Sequence, residues 1–216
     1  MTLIPKVDCD LWFPTPVYRT IVKDHLEVNK KLLPLIRDYQ SKHPTIKCSN
    51  VLGYHSDSNI RWEFLASILC DMMQEIEKAE GLTQECELVD LWFNVNPPQS
   101  HNGSHIHPRC DWSGVYYVQT PPNSGMLVID DPRDRSKMIL PKQKEPKHLS
   151  PMQWRQINYQ PEPGLLLLFP SWLEHSVGLN MTDKTGSEAD RISLSFNFTQ
   201  RWFSDQFYNK KTETFS

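Results

Sequence analysis

The pattern of hydrophobic and polar positions changes once along the chain, near Gly81. Between residues 64 and 76 apolar side chains recur at the spacing of one helical face, which predicts an amphipathic helix that stops near Gly81. Residues 26–39 have a weaker form of the same pattern and predict another helix despite Pro34. Residues 10–22 contain Pro14 and Pro16 and predict an extended lead-in. The predicted helices are expected to support a sheet by packing against it.

After Gly81 the pattern is typical of strands. Short segments rich in β-branched and aromatic residues alternate with turns rich in proline, glycine, asparagine and aspartate. The predicted strands are residues 88–95, 115–119, 126–129, 156–159, 165–169, 174–177 and 192–198. Helices followed by closely spaced strands predict a mainly β fold, a sandwich or barrel. Double-sheet jelly rolls are the form in which cupin-like metal sites occur.

The 216 residues show no break in composition, which predicts a single domain. Within it, residues 1–85 are predicted to be helical support, 86–200 a β core and 201–216 a C-terminal extension. The segment after Asn197 is a candidate homodimer contact. A formal charge of −3 provides no large basic field, so nucleic acid is not an expected partner.

Targeting signals and cysteine usage indicate a cytoplasmic protein. The N-terminus lacks the pattern of a signal peptide, and no apolar run approaches the ~20 residues that cross a bilayer, so no membrane association is expected. The five cysteines include no CxxC pair, which favours reduced thiols over a disulfide framework or a zinc knuckle.

The most informative chemistry lies in histidines of the C-terminal half. His105 and His107 are two residues apart, and alternate residues of a strand share a face. Both can therefore point at one metal ion while Ile106 turns into the core. His175 is predicted to join them from a neighbouring strand. The other histidines are interpreted as surface or hydrogen-bonded residues: His25, His43, His55, His101 and His148.

Arg191 follows His175 after a polar loop and is predicted to open the next strand, where Arg191 and Ser193 share a face. A guanidinium offers two donors to a carboxylate, and a hydroxyl adds a third. This arrangement fits the far carboxylate of 2-oxoglutarate, whose keto-acid end would chelate the metal. Imidazole alone does not select the metal, because it suits iron, copper, nickel and zinc.

Three further residues are candidates with open alternatives. Asp111 is an alternative metal ligand if the chain turns there, or else a solvated loop acid. Asn94 is a candidate hydrogen-bonding partner of ligand or cosubstrate, or else a turn-capping residue. Tyr116 and Tyr117 point to opposite faces of a strand, so at most one faces a pocket, and Tyr117 is assigned to it.

The chain contains the motifs HIHP at 105–108, SGVYYV at 113–118, DPR at 131–133, PGLLLLFPSWLEH at 163–175 and RIS at 191–193, with WFPTP at 12–16. Together these motifs resemble a family of small bacterial and phage proteins described as 2-oxoglutarate/Fe(II)-dependent oxygenases. The resemblance implies that residues 86–200 form a double-stranded β-helix with iron at its mouth. It also implies that His105, His107 and His175 form the catalytic metal centre and that Arg191 anchors the cosubstrate.

The function expected from this resemblance is a dioxygenase that uses Fe(II), 2-oxoglutarate and molecular oxygen to hydroxylate a substrate. The substrate is not identified, and a small molecule and a peptide both stay open. One departure is that His107 occupies the position where the wider superfamily has the aspartate of a His-x-Asp motif. The alternatives are a cupin-like three-histidine dioxygenase or metal-dependent enzyme that does not use 2-oxoglutarate, and a non-catalytic metal-binding scaffold.

Overall fold

The computed structural model of the chain describes residues 13–133 and 154–201. Its helices are α1 (His25–Lys42) and α2 (Glu63–Glu80). Its strands are β1 (Tyr18–Ile21), β2 (Asn50–Val51), β3 (Tyr54–His55), β4 (Cys86–Asn96), β5 (His101–His105), β6 (Trp112–Gln119), β7 (Leu127–Asp130), β8 (Gln156–Tyr159), β9 (Leu165–Pro170), β10 (His175–Val177) and β11 (Arg191–Gln200).

Both predicted helices are present. In α2 the buried residues Leu65, Leu69 and Met73 follow the helical period, so one stripe of the helix faces the core. Gly81 ends α2 with a φ of 65°, a left-handed conformation that glycine adopts without steric cost. Among the described residues, neither helix has the combination of length and apolarity that crossing a bilayer requires.

The strands form two antiparallel sheets, and every predicted strand overlaps one of them. One sheet has six strands in the order β1-β9-β6-β11-β4-β3, and the other has five in the order β2-β5-β10-β7-β8. All of the strand pairs are antiparallel. The mainly β prediction is confirmed, and the arrangement is that of a double-sheet jelly roll.

The six-stranded sheet is buried on both of its faces. Tyr116 and Val118 of β6 pack outward in a cluster that contains the buried residues of both helices. Val115 and Tyr117 point the other way, toward the five-stranded sheet. This double burial explains the unbroken apolar run 165–169, because a strand covered on both faces needs apolar residues at every position.

Three short strands before residue 86 were not predicted. β1 pairs with β9 inside the segment predicted as an extended lead-in, β2 pairs with β5, and β3 pairs with β4. The N-terminal region therefore also completes both sheets. The proposed homodimer contact falls mostly on residues 202–216, and the C-terminal extension beyond Arg201 lies outside the described residues.

Candidate metal centre

Three imidazoles meet between the two sheets. β5 ends at His105 and β10 begins at His175, and these two residues are direct partners in the antiparallel pairing. The ring centroids of His105 and His175 are 4.4 Å apart, and that of His107 is 5.1 Å from each. One ligand atom from each residue lies within 4.8 Å of the others. The pairing of β5 with β10 thus joins residues that are far apart in the sequence.

His107 reaches this cluster without being part of a strand. The chain leaves the sheet after His105, and the His107 backbone N–H donates to the Ser171 carbonyl at 3.0 Å. The prediction that Ile106 turns into the core is wrong, because its side chain is 48% exposed. Strand alternation no longer holds beyond His105, so Ile106 lies at the rim of the cavity.

Hydrogen bonds fix the tautomer of two of the imidazoles. The Nδ1 atom of His105 lies 2.8 Å from the Gly103 carbonyl oxygen, and that of His175 lies 2.9 Å from the Leu173 carbonyl oxygen. A carbonyl oxygen only accepts, so each Nδ1 carries the hydrogen. Each Nε2 therefore keeps its lone pair for a metal ion.

The histidines of the cluster are neutral at physiological pH. Burial lowers the pKa of His175 to about 3, and the neighbouring His105 opposes its protonation further. Burial lowers the pKa of His107 to about 4 and also lowers the pKa of His105. Because metal ligation requires the unprotonated imidazole, these three donors fit a divalent transition metal such as Fe(II).

The cluster faces a cavity of about 730 Å³ between the sheets. The three histidines line it together with alternate residues of β4, β6 and β11. Its volume lies within the range of ligand pockets, ~300–1,000 Å³. A metal held by three side chains on one face would keep its open positions on the cavity side, as catalytic sites require.

Arg191 lies at the first position of β11, in the same cavity, and only 1% of it is exposed. Its Nη1 donates to the carbonyl oxygens of Ser124 at 2.5 Å and Gly178 at 3.1 Å. Its Nη2 is buried without a hydrogen-bond partner, and no carboxylate among the described residues pairs with the guanidinium. A buried cation without a counter-ion is costly, so this atom fits an anionic ligand group.

Gly125 makes the Arg191 position sterically possible. Its φ is 88°, and a Cβ atom added there would lie 2.1 Å from the Gly178 carbonyl oxygen and 2.7 Å from Nη1 of Arg191. Both distances are shorter than non-bonded atoms allow. A residue without a side chain is therefore needed where the two loops close around the guanidinium.

The other residues predicted to bind the cosubstrate line the cavity beside Arg191. Ser193 is two residues along β11 and pairs with Asn94 on one side and Tyr117 on the other. Asn94 has a buried Oδ1 without a hydrogen-bond partner. Burial raises the pKa of Tyr117 to about 12, so its hydroxyl keeps its proton. The structure brings all four residues to one wall.

Asp111, the alternative ligand, is not brought to the histidine cluster. Its carboxylate accepts hydrogen bonds from the Thr199 hydroxyl at 3.0 Å and from the Gln200 backbone N–H at 2.7 Å. These contacts tie the start of β6 to the end of β11. Asp111 is absent from both the cluster and the cavity lining.

Sequence reasoning missed several cavity residues. His55 on β3 is 8% exposed, lines the cavity and stacks on Trp92, with ring centroids 5.7 Å apart. Trp92 in turn lies 5.5 Å from the His107 ring. A two-residue strand has no readable period, so nothing in the sequence placed His55 here. Asp90 and Asn197 also line the cavity and were not singled out.

A protein family model matches residues 90–197, half of the chain, and its description is "Putative 2OG-Fe(II) oxygenase". The chain belongs to this 2OG-Fe(II) oxygenase family. The matched region includes all of the candidate site residues named above except His55. The resemblance drawn from the sequence motifs is confirmed, as are the enzyme class and the cofactors Fe(II) and 2-oxoglutarate. No curated protein matches the sequence of this 2OG-Fe(II) oxygenase family member.

Solved structures of 2OG oxygenases share its fold at low sequence identity. A prolyl-4-hydroxylase from Pseudomonas putida is 14% identical, with a TM-score of 0.59, over 87% of this chain and 94% of that chain. The viral collagen prolyl hydroxylase of Paramecium Bursaria Chlorella virus-1 is 12% identical, with a TM-score of 0.52, over 84% of this chain and 95% of that chain. HygX from Streptomyces hygroscopicus, solved with nickel, 2-oxoglutarate and hygromycin B, is 11% identical, with a TM-score of 0.52, over 87% of this chain and 84% of that chain. These similarities confirm the double-stranded β-helix fold.

Proposed function

We infer that the cavity is the active site of a 2-oxoglutarate-dependent oxygenase in which His105, His107 and His175 hold Fe(II) through Nε2. Arg191 would bind the distal carboxylate of 2-oxoglutarate. The observation that carries this proposal is that three neutral imidazoles and a buried arginine without a counter-ion share one cavity. The first group suits a cation and the second suits an anion.

Each residue has a defined task in this scheme. The histidines present lone pairs on one side of the metal, and Arg191 fixes the far end of the cosubstrate with Nη2. The hydroxyls of Ser193 and Tyr117 offer further donors to the same carboxylate. Asn94 orients the cosubstrate through its unpartnered Oδ1 or its amide group. The apolar wall of Phe169 and Leu127 excludes water from the reacting atoms.

Bound Fe(II) and 2-oxoglutarate supply the oxygen chemistry: one O₂ converts 2-oxoglutarate and a substrate C–H to succinate, carbon dioxide and C–OH. The chain contributes binding, orientation and exclusion of water. The substrate is a small organic molecule or a peptide that enters beside the exposed Ile106. The prolyl hydroxylases named above act on prolyl groups, and at this low identity their substrates are not transferred to this chain.

The test is an anaerobic titration of the metal-free protein with Fe(II) and then 2-oxoglutarate. The expected result is a metal-to-ligand charge-transfer band in the visible region, lost in His175→Ala. On admission of oxygen, wild type is expected to convert 2-oxoglutarate slowly to succinate without added substrate. Ser104→Ala is the matched control, because Ser104 lies on β5 next to His105 and its hydroxyl bonds to Glu174 instead.

Two other outcomes would redirect the proposal. Iron that binds without the visible band and without succinate formation would favour a three-histidine enzyme that does not use 2-oxoglutarate. Tight zinc binding that the fold requires, with no succinate formed, would favour a structural metal site.

The proposed location is the cytoplasm. Cys48, Cys70 and Cys86 are free thiols, which supports a reducing compartment. Fractionation of cells that produce the tagged protein tests this location.

A further inference from the structure

The hydrogen bonds behind the three imidazoles are not equivalent. His105 and His175 donate to backbone carbonyl groups. His107 instead has its Nδ1 2.7 Å from the side-chain oxygen Oδ1 of Asn197. Only this imidazole is therefore linked to a side chain whose own partners can carry charge.

The second partner of Asn197 is a carboxylate. Its Nδ2 donates to Oδ2 of Asp90 at 2.9 Å. A carboxylate only accepts, so the amide orientation is determined and Oδ1 must face His107. Oδ1 only accepts in turn, so Nδ1 of His107 carries the hydrogen and Nε2 is free for a metal.

Strand pairing holds this chain of hydrogen bonds rigidly. Asp90 on β4 and Ser113 on β6 are the direct partners of Asn197 on the two sides of β11. The Ser113 hydroxyl also donates to Oδ1 of Asn197, at 2.8 Å, and lies 2.7 Å from the Ser171 hydroxyl. The Ser171 carbonyl oxygen accepts the backbone N–H of His107. Both the backbone and the ring of His107 are thus held by one connected group.

We propose that Asn197 and Asp90 act as a positioning pair that sets the tautomer, orientation and basicity of His107 as a metal ligand. The inference depends on the metal site proposed above. Three neutral imidazoles bring no negative charge to a divalent ion. Asp90 supplies a negative charge, which acts on His107 through the Asn197 side chain between them. Its charge polarises the Asn197 amide, which strengthens the hydrogen bond from Nδ1 and makes Nε2 a better donor.

Two substitutions separate orientation from charge. Asn197→Leu removes the acceptor at similar volume. A neutral imidazole without such a partner favours the tautomer with hydrogen on Nε2, which leaves this atom no lone pair for the metal. Metal affinity is expected to fall by about 10- to 100-fold, the range for lost outer hydrogen bonds. Asp90→Asn keeps an acceptor for Asn197 but removes the charge, so the expected loss is smaller and the tautomer of His107 unchanged.

The experiment combines two readouts on purified protein. Nitrogen-15 NMR of the metal-free protein reports the tautomer of each histidine, and titration with Co(II) followed by its visible absorption gives the dissociation constant. In Asn197→Leu the hydrogen is expected to move to Nε2 in His107 alone. Ser195→Ala is the control, because Ser195 lies on the same face of β11, two residues away, and its hydroxyl accepts a hydrogen bond from Asn94 and not from an imidazole.

The outcomes distinguish this inference from the proposed function. If wild type binds Co(II) no more tightly than His175→Ala, the metal site itself is wrong. If wild type binds tightly but His107 keeps its tautomer in Asn197→Leu, or Asp90→Asn retains the affinity of Ser195→Ala, the positioning pair is overturned. Asp90→Asn is nearly isosteric and decides the charge effect even if Asn197→Leu does not fold.

Discussion

Replacing Arg191 by glutamine is expected to weaken 2-oxoglutarate binding by about 10- to 150-fold. Nη1 of Arg191 is already bonded to two carbonyl oxygens, whereas Nη2 is a buried donor that is left for a ligand. One charge-assisted hydrogen bond contributes ~1.5–3 kcal/mol, and each ~1.4 kcal/mol corresponds to a factor of ten. The neutral hydroxyl of Ser193 contributes less, so Ser193→Ala is expected to cost about 2- to 10-fold.

The assay compares two keto acids on the same protein. 2-Oxobutyrate has the same chelating end as 2-oxoglutarate but lacks the distal carboxylate. Dissociation constants of both are measured anaerobically with Fe(II) from the visible absorption band. Wild type is expected to prefer 2-oxoglutarate strongly, and Arg191→Gln to lose most of this preference, because only the hydroxyls of Ser193 and Tyr117 remain as donors to the distal carboxylate. The substitution also releases the loops at Ser124 and Gly178, and comparing ligands within one protein cancels that general loosening.

A variant Arg191→Gln that still prefers 2-oxoglutarate by the wild-type factor would refute the assignment of the distal carboxylate to this residue. Equal weakening of both keto acids would instead indicate that Arg191 acts only through the fold. Thermal unfolding of each variant accompanies the titration, so that the fraction of folded protein is known.

Three further predictions concern the same cavity. In the metal-free protein, His107 and His175 have folded pKa values of about 4 and about 3, below the ordinary 6.5 of the unfolded chain. Their contribution to stability should be fully present above pH 6.5, decrease as the pH falls below 6.5 and level off near pH 4 for His107 and pH 3 for His175. Urea unfolding is expected to show a loss of up to about 1.4 kcal/mol per pH unit for each group, and a slope that is the same in His175→Gln would contradict this. Gly125→Ala is expected to destabilise the protein by ~1–3 kcal/mol and to weaken 2-oxoglutarate binding, because the added Cβ would overlap the Gly178 carbonyl oxygen. An unchanged melting temperature would contradict this steric argument. Asp111→Asn is expected to bind Co(II) as wild type does, since its carboxylate is held by Thr199 and Gln200, and a loss as large as that of His175→Ala would make it a ligand.

Local patterns were sufficient to predict the elements with a clear burial pattern. The apolar stripe of α2 indicates a helix buried on one face, and the short unbroken apolar run of β9 indicates a strand buried on both faces. β2 and β3 contain two residues each and are strands only through their pairing with β5 and β4. Such strands depend on long-range pairing and leave no mark in the sequence.

The candidate site divides in the same way. The spacing of His105 and His107 was enough to predict that they share a site. The place of Arg191 at the start of a strand was enough to predict that it lies near them. The prediction for Ile106 failed because the strand ends at His105, so strand alternation does not apply to Ile106 and His107. Asn197 could not be related to His107, because their contact depends on the register of β11, and a shift of one residue would turn Asn197 to the opposite face.

The charges that line the cavity give a reason for metal and cosubstrate to bind together. Among its described lining residues Asp90 and Arg191 are the only ones that carry charge, and they balance each other while the histidines are neutral. A divalent metal alone leaves the buried site with two uncompensated positive charges, and the two carboxylates of 2-oxoglutarate remove them. Because an excess of charge is costly in a low dielectric, each ligand should raise the affinity of the other by the same factor. Charge balance in this cavity thus favours the fully loaded site over either partly loaded one.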